Sequence, residues 1–134
     1  EKQVATPSSL DFHGRARVLL VEDRPLVRNS IQAILQHAGY QVVSAQNGEE
    51  AMKIMAKDGD DFNLVLTDVF MPIMTGPALI DHLLILRPDL NFLMMSGHPE
   101  DELEHFGLLD RHFLAKPFSA SDLLNKIEKV LVFD

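Results

Sequence analysis

Acidic residues, a hydroxyl and a lysine come just after short apolar runs of this sequence. Glu22 and Asp23 follow the first run, and Asp68 comes two residues after the third. Ser96 follows the fourth run and Lys116 follows the fifth. Carboxylates that are crowded together repel one another unless a cation joins them. Magnesium prefers oxygen ligands and is held by one or two carboxylates together with water and phosphate oxygens. A carboxylate beside such an ion, with a lysine and a hydroxyl nearby, can attack a phosphoryl group. The residue types therefore predict a magnesium site at which Asp68 becomes an aspartyl phosphate.

Five apolar runs and the helical patterns between them must bring these residues together. The runs are residues 18–21, 40–43, 64–66, 92–95 and 112–115. The first, third and fourth are apolar at consecutive positions, which is typical of strands buried on both faces, whereas the mixed second run suits an edge strand. Helix starts are predicted at Pro25, Asn47, Gly76, Pro99 and one of two serines, Ser119 or Ser121.

Strict alternation of strand and helix predicts an α/β fold. The expected architecture is a five-stranded parallel sheet of order 2-1-3-4-5, doubly wound with five helices. Ligands bind such sheets beyond the carboxyl ends of the strands, at the switch point between the first and third strands. Glu22, Asp23 and Asp68 fall at that point.

Composition and charge exclude several classes of protein. The chain of 134 residues carries 20 Asp and Glu against 12 Lys and Arg, a net charge of −8. This acid excess argues against nucleic-acid binding and against contact with an anionic membrane. With no cysteine, thiol nucleophiles, zinc–cysteine sites and disulfides are excluded. A cytoplasmic location is the default expectation. Residues 1–15 are polar and predict a flexible linker before a single domain over residues 16–134.

Four motifs resemble those of the receiver (response regulator) domain of bacterial two-component signal transduction. They are VLLVED at 18–23 with Pro25, LTDVFMP at 66–72 with Gly76, MSG at 95–97 and LAKPF at 114–118. The motifs follow the family's order and about its spacing, over roughly residues 16–132. The resemblance implies a flavodoxin-like receiver fold. It also implies a domain that takes a phosphoryl group from a histidine kinase or a histidine phosphotransfer protein in a magnesium-dependent reaction.

The resemblance assigns roles to the residues at matching positions. It implies that Asp68 is the phosphoacceptor and one of the magnesium-site residues, and that Asp23 binds magnesium directly. Glu22 would hold the ion through water, and the backbone carbonyl of Phe70 would be a further ligand. Such a domain is not an enzyme with a separate substrate, because it catalyses only its own phosphorylation and dephosphorylation.

The resemblance also implies which residues transmit phosphorylation of the site to the surface of the domain. Ser96 would reorient toward the phosphoryl group, and Lys116 would contact it, with a cis bond between Lys116 and Pro117. Phe113 occupies the position of an aromatic switch, but without a hydroxyl it could switch only by ring packing. The surface formed by the last helices and strand would then change its binding to partners, and it is also a candidate homodimer interface.

Two other functions remain open at the level of sequence. An Asp-nucleophile phosphohydrolase of the haloacid-dehalogenase type needs a second acid two residues after the nucleophile, where this chain has Phe70. It also needs a substrate cap, for which this chain lacks room. A receiver-like interaction module that works without phosphorylation is the other alternative, and the complete acidic and lysine set argues against it. The N-terminal segment fits a receiver attached behind a sensor kinase, and a free-standing regulator fits nearly as well.

Overall fold

The sheet has the predicted architecture in a computed structural model that describes residues 16–97, 99–107 and 110–132. Five parallel strands are arranged in the order β2-β1-β3-β4-β5. They are β1 (Arg17–Val21), β2 (Gln41–Ala45), β3 (Leu64–Asp68), β4 (Asn91–Ser96) and β5 (Phe113–Ala115). The α/β class and the strand order predicted from sequence are thus confirmed. The segment predicted to be a linker, residues 1–15, lies outside the described residues.

A helix follows each strand along the chain. The helices are α1 (Pro25–His37), α2 (Gly48–Asp58), α3 (Gly76–Leu86), α4 (Pro99–Phe106) and α5 (Ala120–Val132). Asn47 caps α2 as predicted, because its side chain accepts a hydrogen bond from the backbone N–H of Glu50 at 2.8 Å. Before α5, the hydroxyl of Ser119 accepts from the backbone N–H of Asp122, whose carboxylate accepts from the N–H of Ser119. Ser119, and not Ser121, is therefore the cap.

Two hydrophobic cores lie on opposite faces of the sheet. Successive residues of β1 alternate between them, with Leu19 and Val21 in one core and Val18 and Leu20 in the other. The first core includes buried residues of α2 and α3, and the second includes buried residues of α1 and α5. This two-sided burial explains why the central strands are apolar at consecutive positions.

The fifth strand begins one residue later than the sequence pattern suggests. His112 was predicted to be in the strand, but it ends a 3-10 turn over Asp110–His112, and β5 begins at Phe113. The strand lies at the edge of the sheet and pairs with β4 through only three residue pairs. The His112 ring instead stacks on Phe92, with ring centroids 4.1 Å apart. Ring packing rather than strand pairing therefore holds this residue.

Strand register brings the carboxyl ends of four strands to one rim. Val21 is level with Thr67, Asp68 with Met95, and Ser96 with Ala115. The residues that follow or end these strands therefore meet at the same edge of the sheet. Within the described ranges, every helix is too short or too polar to cross a lipid bilayer.

Candidate functional site

Three carboxylates converge where β1 and β3 end. One oxygen each from Glu22, Asp23 and Asp68 lies within 4.8 Å of the other two. Glu22 is fully buried and Asp68 is only 6% exposed, whereas Asp23 is partly open to solvent. The predicted grouping of acids is therefore present in the structure.

Glu22 is held in place by the first turn of α1. Its Oε2 accepts a hydrogen bond from the backbone N–H of Arg24 at 3.1 Å, and its backbone carbonyl accepts from the Arg28 guanidinium at 2.8 Å. Burial raises the pKa of Glu22 above its ordinary value, and the charge of Asp68 raises it further. The Arg24 amide and Lys116 lower the same pKa. The site therefore holds a carboxylate whose negative charge is incompletely compensated by protein groups.

Lys116 supplies the positive charge of the site. Its Nζ lies 2.8 Å from Oδ1 of Asp68 and 3.8 Å from Oε1 of Glu22. The Lys116 backbone N–H donates to the carbonyl of Ser96 at 2.7 Å, which ties the end of β5 to β4. The bond between Lys116 and Pro117 is cis, as the family resemblance implied. One ammonium group thus faces two carboxylates that come from different strands.

The acidic group has the chemistry of a site for a hard cation. Among the residues that the structure describes, Oε1 of Glu22 and Oδ1 of Asp23 are buried and have no hydrogen-bond partner. Buried polar atoms are usually paired, and a place for a bound ion is one reason for an exception. Oxygen atoms of this kind are the ligands that Mg²⁺ prefers. The residues present therefore fit magnesium.

The start of α3 packs closely against the end of β3. The backbone N–H of Gly76 donates to the carbonyl of Val69 at 2.8 Å, and that of Val69 donates to the carbonyl of Met95 at 3.1 Å. A Cβ placed on Gly76 would lie 2.4 Å from the backbone oxygen of Asp68. Only glycine permits this approach without displacing the segment that carries Asp68.

The other predicted site residues differ in how they are placed. Ser96 is buried at the end of β4, on the same rim as Asp68, and Phe70 is two residues beyond Asp68 with its side chain 63% exposed. Phe113 is buried in the core that packs on α2 and α3, level with Met94 in the adjacent strand. The Phe113 ring is thus part of the core. Its strand, β5, runs from Phe113 to the rim, where Lys116 follows.

Two residues that contact the site were not predicted from the sequence. The buried hydroxyl of Thr67 donates to the backbone carbonyl of Asp68 at 3.0 Å, and Arg28 holds the carbonyl of Glu22. Thr67 directly precedes Asp68 in its motif, which was the available signal. Arg28 lies about one helical turn after Pro25, but a basic residue in that turn is usually solvated, so the spacing alone gave no sign.

The chain belongs to the response regulator receiver domain family, whose model matches residues 18–128. It is 38% identical over 132 residues to the sensor kinase CckA of Brucella abortus, covering 97% of this chain and 14% of that protein. The response regulator receiver protein CpdR of the same organism is 34% identical and matches over 87% of this chain and 97% of its own length.

A solved structure has the same fold. It is that of the response regulator protein TrrA from Thermotoga maritima in complex with Mg²⁺ and BeF. TrrA is 28% identical to this chain, the match covers 87% of this chain and 99% of TrrA, and the TM-score is 0.75. Receiver domains are signalling domains of two-component systems rather than conventional enzymes. They bind Mg²⁺ at an acidic cluster and interact with histidine kinases or phosphotransfer partners.

Proposed function

We propose that Asp68 accepts a phosphoryl group from a phosphohistidine of a histidine kinase or a histidine phosphotransfer protein. The observation that carries this proposal is the convergence of Glu22, Asp23 and Asp68 within 4.8 Å, with Lys116 at 2.8 Å from Asp68. An isolated surface acid would have neither the two further carboxylates nor the partly buried lysine contact. The arrangement combines a nucleophile, cation ligands and a positive charge for the incoming group.

The transfer step needs no other reactant. A carboxylate oxygen of Asp68 forms a bond to phosphorus while the phosphorus–nitrogen bond to the donor imidazole breaks, and the imidazole keeps that bond's electron pair. Asp68, Asp23 and the backbone carbonyl of Phe70 would bind Mg²⁺ directly, and Glu22 would bind it through water. The ion would neutralise charge on the phosphoryl oxygens. Lys116 would then move its hydrogen bond from the carboxylate to one of these oxygens.

The consequence of phosphorylation would reach the surface through Ser96 and Phe113. The Ser96 hydroxyl would turn toward the phosphoryl group, and the Phe113 ring would repack within the core. The face formed by α4, β5 and α5 would change its affinity for a partner, or for a second copy of this chain. The complex of TrrA with Mg²⁺ and BeF supports a magnesium-dependent site of this kind.

Its relatives suggest two settings for the domain. The chain spans 14% of the sensor kinase CckA but matches nearly the full length of CpdR. We place the receiver domain at residues 16–134, with residues 1–15 as a linker. It would act in the cytoplasm, either as part of a sensor kinase or as a separate regulator.

A phosphorylation assay tests the proposal. The purified chain is incubated with acetyl phosphate and MgCl₂, and its intact mass is measured. The wild type should gain the mass of one phosphoryl group, and Asp68→Asn should gain nothing. Asp81→Asn is the matched control, because Asp81 is exposed on α3 and its replacement removes the same charge. EDTA present before acetyl phosphate is added should prevent formation of the adduct in both the wild type and the control.

This mass measurement, together with an assay of phosphoester hydrolysis, separates the alternatives. A folded wild type that gains no phosphoryl group would favour an interaction module that works without phosphorylation. Repeated hydrolysis of p-nitrophenyl phosphate would favour a phosphohydrolase. An adduct that survives in Asp68→Asn would assign the nucleophile to another residue. Circular dichroism of each variant shows that a negative result does not come from unfolding.

A further inference from the structure

A cavity of about 760 Å³ lies at the end of the sheet opposite the acidic site. Its walls come from the end of α3, the first residues of β4, the residues before β5 and the last turns of α5. They are Leu84, Pro88, Asp89, Leu90, Asn91, Phe92, Arg111, His112, Lys126, Lys129 and Val130. The six residues of β4 separate the cavity from Ser96 by about 16 Å. The volume falls within the range of about 300–1,000 Å³ that small-molecule sites occupy.

The cavity combines an apolar wall with a flat aromatic surface. Leu84, Leu90 and Val130 contribute aliphatic side chains, and Phe92 contributes a ring. The Phe92 ring is stacked on the imidazole of His112, with 4.1 Å between centroids and 15° between planes. Phe92 is only 7% exposed, so it holds the partly exposed His112 ring in a fixed orientation against which a planar apolar group can pack.

Three basic side chains are among the residues that line the cavity. Arg111, Lys126 and Lys129 line the cavity, whereas Asp89 is the one acidic side chain among the described lining residues. The Asp89 carboxylate is 3.6 Å from the Arg87 guanidinium, so its charge is already partly neutralised. In a chain of net charge −8, three of the 12 Lys and Arg residues therefore face one cavity.

The behaviour of His112 agrees with a positive local potential. Burial lowers the pKa of His112, and the charges of Arg111 and Lys126 lower it further. The same charges that disfavour a proton on the imidazole favour a negatively charged group nearby.

We propose that this cavity binds a small amphiphilic anion, a planar apolar body that carries a sulfonate, carboxylate or phosphate group. The body packs against the stacked His112 and Phe92 rings, of which His112 is the more exposed, and against the aliphatic wall, and the acidic group lies among Arg111, Lys126 and Lys129. This binding site is separate from the acidic rim and does not depend on phosphorylation of Asp68.

The test uses 8-anilinonaphthalene-1-sulfonate as the probe, with fluorescence as the readout. The wild-type chain should bind one probe molecule saturably. The double variant Arg111→Glu and Lys129→Glu, at two exposed positions, should weaken binding by about tenfold or more. The matched control is Lys53→Glu with Lys57→Glu, which makes the same charge change at exposed positions of α2, away from the cavity, and should bind like the wild type.

Two further measurements locate the probe and test its charge. In NMR spectra, the backbone amide chemical shifts that change on addition of the probe should centre on Asn91, Phe92 and His112. The uncharged analogue N-phenyl-1-naphthylamine should bind at least about tenfold more weakly than the sulfonate. Equal weakening in the two double variants, equal binding of the uncharged analogue, or shifts centred elsewhere would each overturn the proposal.

Discussion

Lys116 is the only described cation within an ion-pair distance of the converging acids. Its side chain is 26% exposed, and its ammonium group lies near both Asp68 and Glu22, whose side chains are almost completely buried. Removal of one member of a buried ion pair leaves the other charge uncompensated, which costs more than the pair itself contributes. The lysine therefore stabilises the fold before any phosphoryl group arrives.

Replacement of this lysine should reveal that contribution. We expect Lys116→Met to lower the free energy of unfolding by about 2 kcal/mol in buffer without divalent cations. Urea unfolding followed by circular dichroism measures the change, with Lys53→Met, at an exposed position of α2, as the control. MgCl₂ should return part of the lost stability, compared with NaCl at the same ionic strength. A variant as stable as the control would show that the lysine has no structural role.

His112 makes the stability of the protein depend on pH. Its pKa lies below the ordinary value because of burial, Arg111 and Lys126, so the folded state favours the neutral ring. The unfolded chain binds a proton more readily than the folded one as the pH falls. Stability is therefore fully present above the ordinary pKa of histidine and is lost as the pH falls toward the lowered one.

The pH effect can be measured as a difference between two conditions. Between about pH 7.5 and about pH 5, the free energy of unfolding of the wild type should fall more than that of His112→Gln. The control is His82→Gln, because His82 is exposed on α3, and it should follow the wild type. If His112→Gln lost as much stability on acidification as the wild type, another group would account for the effect.

The helices and strands show how far sequence patterns predict this fold. Alternating apolar runs and helical spacing predicted the strand order, and the residue that follows each strand predicted the rim where Glu22, Asp68 and Lys116 meet. The contact of Arg28 with the Glu22 carbonyl was not predictable, because it depends on the angle at which α1 leaves β1. His112 was misplaced because the hydrophobic pattern does not distinguish an aromatic stack from strand pairing.

The junction of β3 and α3 depends on the absence of a side chain at one position. We expect Gly76→Ala to destabilise the protein by about 2 kcal/mol or more, because the added Cβ would lie 2.4 Å from a backbone oxygen that cannot rotate away. Gly97→Ala is the matched control, since a Cβ there would meet nothing within 4 Å. Thermal unfolding of both variants measures the difference. Equal stability of the two would show that α3 can shift at little cost.

Charge is distributed unevenly over the whole molecule. The net charge of −8 includes the converging carboxylates at one end of the sheet, whereas basic side chains line the cavity at the other end. Salt screens the exposed charges in general. A divalent ion at the acidic rim would act differently, because it would bind the folded state specifically and stabilise it by mass action.

Magnesium should therefore stabilise the folded protein beyond any effect of ionic strength. At a concentration about 100 times its dissociation constant, the ion should add about 2.7 kcal/mol to the free energy of unfolding, because the unfolded chain does not hold the three carboxylates together.

The measurement is the unfolding temperature in MgCl₂ against NaCl at equal ionic strength. Asp23→Asn should lose most of the magnesium-specific increase. Asp60→Asn, which removes the same charge at an exposed position, should retain it. If NaCl raised the unfolding temperature as much as MgCl₂, or if the two variants responded alike, the stabilisation would come from general screening and not from an ion bound between the ends of β1 and β3.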